Sequence, residues 1–177
     1  MSYELSSERQ AFAEVLEHEI KKVVRMVRAF PTARFERHHP ECGRSACELA
    51  ADFGRHMRRI EQLASGRLAE PPRGSMRARG EILLDLELAY LGAHMALRAM
   101  PPFRWAEVID APAGLAPWRQ ARRGELLWLA LREMVRHERH FGVHLGAAQG
   151  GDEGPGHHDG GSPRRERPLR ELLESVA

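Results

Sequence analysis

The sequence has little excess charge, no long apolar run and few cysteines. Its 27 basic residues are offset by 25 acidic ones, so no phosphate-tracking surface is indicated and we do not expect nucleic acid as a partner. No apolar stretch approaches the roughly 18 to 20 residues that a membrane helix needs. The first residues also lack the basic and apolar regions of a signal peptide. We therefore expect a soluble, cytoplasmic protein that makes no contact with membranes.

The two cysteines are Cys42 and Cys47. Two thiols in a chain of 177 residues do not indicate a disulfide framework, because a chain of this length can bury a core of its own. The reduced state is therefore expected. His38 and His39 lie close by in the sequence, but the spacing of these four residues fits none of the usual zinc knuckles, and we favour no structural zinc there.

Strand-like alternation is nearly absent, and helical periodicity takes its place. Apolar residues recur at spacings of three and four in four segments, at about 7–28, 46–66, 82–97 and 118–148. Ser6 or Ser7 is a plausible N-cap for the first segment, and Ser45 with Glu48 forms a capping box before the second. The sequence predicts an all-α fold, a four-helix bundle in residues 1–148 with ligand sites between facing helices.

The third segment is apolar on both sides. Ile82 and Leu86 lie on one side, and the opposite side carries Leu84, Leu88, Leu91 and Met95. A helix that is apolar all round is either central or forms a subunit contact, so we expect a homodimer. Residues 149–177 begin as a Gly/His-rich stretch that is too poor in apolar groups to bury anything, and we predict a flexible tail with a short helix near its end.

Polar side chains share the core face of the fourth segment. At about 100° per residue from Leu126, Glu133 falls near about −20°, His137 near about 20° and His144 near about 0°. An unpaired buried carboxylate or imidazole costs roughly 1–3 kcal/mol, so each needs a partner such as another side chain, a water or a metal ion. We expect any function to be located here.

Several segments resemble the DinB/YfiT-like superfamily of metalloenzymes. They are the stretches 29–40, AFPTARFERHHP, and 45–53, SACELAADF, and, on the fourth segment, 123–128 and 131–137. The resemblance covers about residues 8–148. It implies a four-helix bundle, often dimeric, that holds one divalent ion with a residue of the second helix and two residues of the last helix, four apart.

Carried over by position, the resemblance implies Asp52, Glu133 and His137 as ligands. His56 repeats the carboxylate-x-x-x-histidine spacing with Asp52, and we expect it as a substitute or fourth ligand. One imidazole and two carboxylates would accept manganese or iron as well as zinc, and nickel is a further candidate. The same residues also allow readings without metal: Glu133 and His137 as a hydrogen-bonded core pair, Asp52 as an ion pair with Arg55 or Arg59, and His56 as an ordinary core histidine.

Two functions remain open at this point. Some members of the superfamily are thiol-dependent transferases or isomerases, so the resemblance implies a metal-dependent enzyme that combines a low-molecular-weight thiol with a small-molecule substrate. The alternative is a non-catalytic, stress-associated bundle with a degenerate metal site that acts as a dimeric binding protein. Stoichiometric metal content would separate the two.

Overall fold

The computed structural model describes residues 2–67, 78–117 and 119–150. Within these ranges the chain forms four α-helices: α1, Ser2–Ala29; α2, Ala46–Ser65; α3, Arg79–Ala99; and α4, Arg123–Gly150. This confirms the all-α helical bundle that the apolar periodicity predicts. Short 3₁₀ turns at Thr32–Arg34 and Pro102–Ala106 follow α1 and α3.

The helices bury the faces that the periodicity indicates. Phe12, Phe53 and Phe141 are fully buried and join α1, α2 and α4 in one core. The rings of Phe53 and Phe141 meet edge to face at 5.8 Å, and Phe12 contacts Trp105 at 5.6 Å. The largest of these side chains therefore sit where the helices face one another.

The capping box of α2 is confirmed. Ser45 Oγ accepts a hydrogen bond from the Glu48 backbone N–H, and the Glu48 carboxylate accepts one from the Ser45 N–H. The helix ends at Gly66, whose φ of 74° is the left-handed conformation that favours glycine. By contrast, α1 begins at Ser2, so the N-cap expected at Ser6 or Ser7 is wrong, because both residues lie inside the helix.

Helix α4 begins later than the periodicity predicts. Its expected start at Trp118 lies outside the described residues, but Gln120–Arg122 form strand β2, which pairs antiparallel with strand β1, Val108–Asp110. Arg123 then opens the helix and is held by the Glu107 carboxylate, 2.7 Å away, and by the Leu63 carbonyl. This hairpin was not predicted, because three-residue strands leave almost no alternation to detect.

No helix within the described ranges combines the length and apolarity needed to cross a bilayer. Helix α4 ends at Gly150 rather than near Ala148. The rest of the predicted tail, including its short terminal helix, lies outside the described residues.

Candidate metal centre

Few polar side chains are buried among the described residues, and most of them lie on α2 and α4. The charged or titratable ones are Asp52, His56, Arg123, Glu138 and His144. Burial of such groups is costly without partners. Their partners therefore indicate which of them are structural and which are available for chemistry.

Asp52 is buried and held by two arginines. Arg44 Nη2 donates to Asp52 Oδ2 at 2.7 Å, and Arg55 pairs with Oδ1. Two guanidinium groups already occupy the carboxylate, which matches the reading of Asp52 as an ion-pair partner of Arg55. An incoming cation would compete with both arginines for the carboxylate.

The structure brings His56 and His137 together. His56 Nε2 lies 2.8 Å from His137 Nδ1, and the rings meet edge to face. Burial, followed by the positive charges of His137 and nearby arginines, lowers the pKa of His56 to about 4. Burial and Arg136 also lower the pKa of His137. Both rings are therefore neutral at pH 7, and one of the two facing nitrogens donates a hydrogen bond to the other.

Glu133 is not on the core face. Its side chain is 32% exposed and pairs with Arg136 at 2.6 Å. The buried carboxylate of α4 is Glu138, which is 3% exposed and contacts Lys22 Nζ at 2.5 Å. The expectation that Glu133 shares the buried stripe is corrected, because the buried arc of α4 is centred well to one side of Leu126.

The four ligands expected from the sequence do not form one cluster. Among the described residues, no three of Asp52, His56, Glu133 and His137 offer ligand atoms that all lie within 4.8 Å of one another. His56 and His137 meet, whereas Asp52 and Glu133 are each engaged by arginine. These contacts match the metal-free reading of Asp52 as an ion pair with Arg55. They do not match the expected core pair of Glu133 with His137, because Glu133 pairs with Arg136 and His137 meets His56.

A different set of side chains meets that criterion. His39, Cys42 and His144 place one ligand atom each within 4.8 Å of the other two. Cys42 Sγ lies 3.2 Å from His144 Nε2, and the rings of His39 and His144 are 4.3 Å apart. These three residues, called the CHH cluster below, could hold a metal ion.

Backbone hydrogen bonds fix the loop that carries His39 and Cys42. The His39 N–H donates to the Arg44 carbonyl, and the Gly43 N–H donates back to the His39 carbonyl. Gly43 has a φ of 65°, which this tight turn requires and which other residues adopt at a cost. The loop then runs directly into the capped start of α2, so its two ligands are positioned before any ion binds.

The loop is also tied to the end of α4. Arg34 Nη1 donates to the Ala148 carbonyl at 2.7 Å. Phe35 and Phe141 both pack on Phe30, with ring distances of 5.8 and 5.4 Å. These contacts hold His144 against the loop.

His144 is suited to ligation by its burial and by its neutral state. Its side chain is 4% exposed, and burial together with His39, His140 and Arg44 lowers its pKa. A neutral imidazole can accept the Cys42 thiol proton in a hydrogen bond, and the same nitrogen is available to a metal. His140, one turn earlier on α4, meets the His144 ring edge to face, with the ring centres 4.9 Å apart.

Sequence spacing identified only part of this cluster. It singled out His39 and Cys42, but tested them with His38 and Cys47 as a local zinc loop, and Cys47 is buried in α2. The third ligand is 102 residues from Cys42 along the chain. The available signal was the placement of His144 on the core face of α4, which the structure confirms.

A groove of about 530 Å³ lies elsewhere, between α1 and α3. Ile20, Val24 and Tyr90 line it, and paired charges surround it. It contains none of the candidate ligands, so it is not part of the CHH cluster.

The sequence matches no family model and no curated protein. The resemblance to DinB/YfiT-like proteins therefore rests on the motifs quoted above and stays a prediction.

Proposed function

We propose that this protein binds a divalent transition-metal ion in the CHH cluster and uses it on a small-molecule substrate. The observation that carries the proposal is the convergence of His39, Cys42 and His144 from two distant segments to within 4.8 Å. A tetrahedral zinc ion with a sulfur and a nitrogen ligand separates those atoms by about 3.5 Å. The 3.2 Å between Cys42 Sγ and His144 Nε2 would need to open by only a few tenths of an ångström.

Zinc is the ion that this ligand set favours. One thiolate and two imidazoles are softer than the two carboxylates and one imidazole implied by the resemblance, and they disfavour manganese. Three protein ligands also leave a fourth position for an exogenous group, as in catalytic zinc sites. Only one ligand is anionic, so the site keeps about one unit of positive charge for that group.

The reaction class that we propose is thiol transfer. A bound ion would supply the positive charge that stabilises a low-molecular-weight thiol as its thiolate at neutral pH. The thiolate sulfur would then form a bond to an electrophilic carbon, the leaving group would depart with its electron pair, and the thiol proton would pass to solvent. The reaction class comes from the DinB-like resemblance, whereas the metal-binding proposal rests on the geometry.

A non-catalytic function is the second candidate. The pairing of Asp52 with two arginines and of Glu133 with Arg136 favours a bundle whose DinB-type site has been lost. In that case the CHH cluster would store or sense metal without turnover. A panel of small thiols with 1-chloro-2,4-dinitrobenzene as the electrophile, measured with the zinc-loaded protein, distinguishes the two candidates by the presence or absence of chloride release.

Metal content tests the proposal directly. Untagged protein should contain about one zinc per chain, and both Cys42→Ala and His144→Ala should reduce that content at least tenfold. His137→Ala is the matched control, because it removes an imidazole from the same helix but outside the cluster. Full metal content in His144→Ala together with loss in His137→Ala would instead indicate that the metal binds at the position implied by the resemblance. Near-zero content in the unmodified protein after zinc loading would refute the proposal.

A further inference from the structure

The outer face of α3 carries an apolar stripe that nothing in the described part of the chain covers. Leu84, Leu88, Leu91 and Met95 are 52–62% exposed. At about 100° per residue they fall within about 60° of one another on the helix surface. The inner face packs on α2 and α1, where Leu86 and Leu97 are buried. The solvent-facing side of α3 is therefore apolar, which is typical of a surface that contacts another subunit.

Two opposite charges lie at the ends of this stripe. Glu81 is exposed in the first turn of α3, and Arg98 is exposed in the last turn. Both fall on the same side of the helix as the four apolar residues. The stripe is therefore acidic at one end and basic at the other.

The order of these residues is self-complementary. If α3 packs antiparallel against α3 of a second copy about a two-fold axis, Leu88 faces Leu91, Leu84 faces Met95, and Glu81 faces Arg98. The same axis satisfies all three pairings, because the residue numbers in each pair have the same sum. A two-fold interface requires such a match, in which each surface meets an identical copy of itself.

We propose that a second copy of this chain covers the apolar stripe of α3, in the antiparallel register just described. The stripe with its charged ends spans about 25 Å, at about 1.5 Å per residue. The two charges disfavour a parallel arrangement, because Glu81 would then face Glu81 of the second copy and Arg98 would face Arg98.

Leu88→Glu tests whether the stripe forms the contact. Sedimentation equilibrium should give the unmodified protein twice its chain mass of 20.0 kDa, and Leu88→Glu should raise the dissociation constant at least tenfold. Val143→Glu is the matched control, because Val143 is 64% exposed but lies on α4, and it should remain dimeric. A monomeric unmodified protein, or equal weakening by both variants, would overturn the proposal.

Charge reversal tests the register. Glu81→Arg alone and Arg98→Glu alone each place like charges opposite one another, so each should weaken the dimer, and the double variant should recover most of the loss. Helix content is followed by circular dichroism, because Glu81 also accepts a hydrogen bond from the Ala78 N–H. A double variant as weak as the singles, at unchanged helix content, would refute the antiparallel register. A dimer that persists in Leu88→Glu would place the interface elsewhere.

Discussion

At the scale of single residues, the His56–His137 pair combines burial with a neutral state. The pKa of His56 is lowered to about 4, below the value of about 6.5 for an imidazole in the unfolded chain. Between these two values the unfolded chain binds a proton that the folded protein does not bind. Folding stability is therefore complete above about pH 6.5 and falls as the pH decreases toward 4.

This predicts a loss of about 2 kcal/mol in the free energy of unfolding between about pH 7.5 and pH 5 from His56. Urea denaturation at the two pH values measures it. His56→Gln, which keeps hydrogen-bonding atoms in place, should remove most of the loss, and His18→Gln on the exposed side of α1 should not. Equal pH dependence in the protein and in His56→Gln would contradict the assignment.

Residues also account for the main error in locating the site. The helical wheel of α4 took Leu126 as the centre of the buried face, whereas the buried residues extend from Leu126 at about 0° to Gly124 at about 160°. Glu138, at about 120°, is inside this arc, and Glu133, at about −20°, is just outside it. Periodicity predicted that α4 has one buried face, but the centre of that face depends on which helices pack against it.

At the scale of elements, α1 and α4 meet through a cluster of two carboxylates and one amine. Lys22 pairs with Glu138, and the Glu19 carboxyl group can share a hydrogen bond with Glu138 when it is protonated. Desolvation, that hydrogen bond and the charge of Glu138 raise the pKa of Glu19 above 4.5. In the pH window just above 4.5, the folded protein holds a proton that the unfolded chain releases, so stability decreases as the pH rises through that window.

Glu19→Gln should therefore stabilise the protein at pH 7 by a few tenths of a kcal/mol to about 1 kcal/mol, because Glu19 is only partly buried. The gain should shrink as the pH approaches 4.5, and thermal denaturation across this range measures it. Glu14→Gln, on the exposed side of the same helix, is the control and should change little. A destabilised Glu19→Gln at pH 7 would show that the carboxylate contributes favourably to the helix contact.

Elements were predicted best where many residues repeat one pattern. The four helices follow from periodicity over 20 or more residues, and the start of α2 follows from Ser45 and Glu48. Strands β1 and β2 could not be predicted, because each has three residues and depends on the pairing of two distant segments. The conformation of the loop ahead of α2 could not be predicted from its composition, because its turn is fixed by backbone hydrogen bonds.

At the scale of the whole molecule, the CHH cluster joins the first half of the chain to the last helix. An ion bound only by the folded protein stabilises it by about 2.7 kcal/mol at a concentration about 100 times the dissociation constant. For a domain of this size we expect zinc to raise the melting temperature by about 5–10 °C, and a chelator to reverse the change. Scanning calorimetry measures both, and Cys42→Ala should lose the effect. A shift of equal size in Cys42→Ala would contradict ligation by this thiol.

The whole-molecule scale also explains why the site was harder to predict than the fold. Sequence motifs for metal sites work when the ligands lie within one short segment. Here two ligands lie in one loop and the third is on α4, so their meeting depends on how the bundle closes. The sequence therefore indicated individual participants, His39, Cys42 and His144, without indicating that they converge.

The separation of these ligands along the chain has a consequence for biosynthesis. While the ribosome is still translating α3, His39 and Cys42 have already emerged, but His144 has not been added to the nascent polypeptide. The complete ligand set exists only after nearly all of α4 has left the exit tunnel. A metal ion that needs all three ligands can therefore bind only after α4 has been made, and until then the Cys42 thiol lacks the His144 imidazole that it contacts in the folded protein.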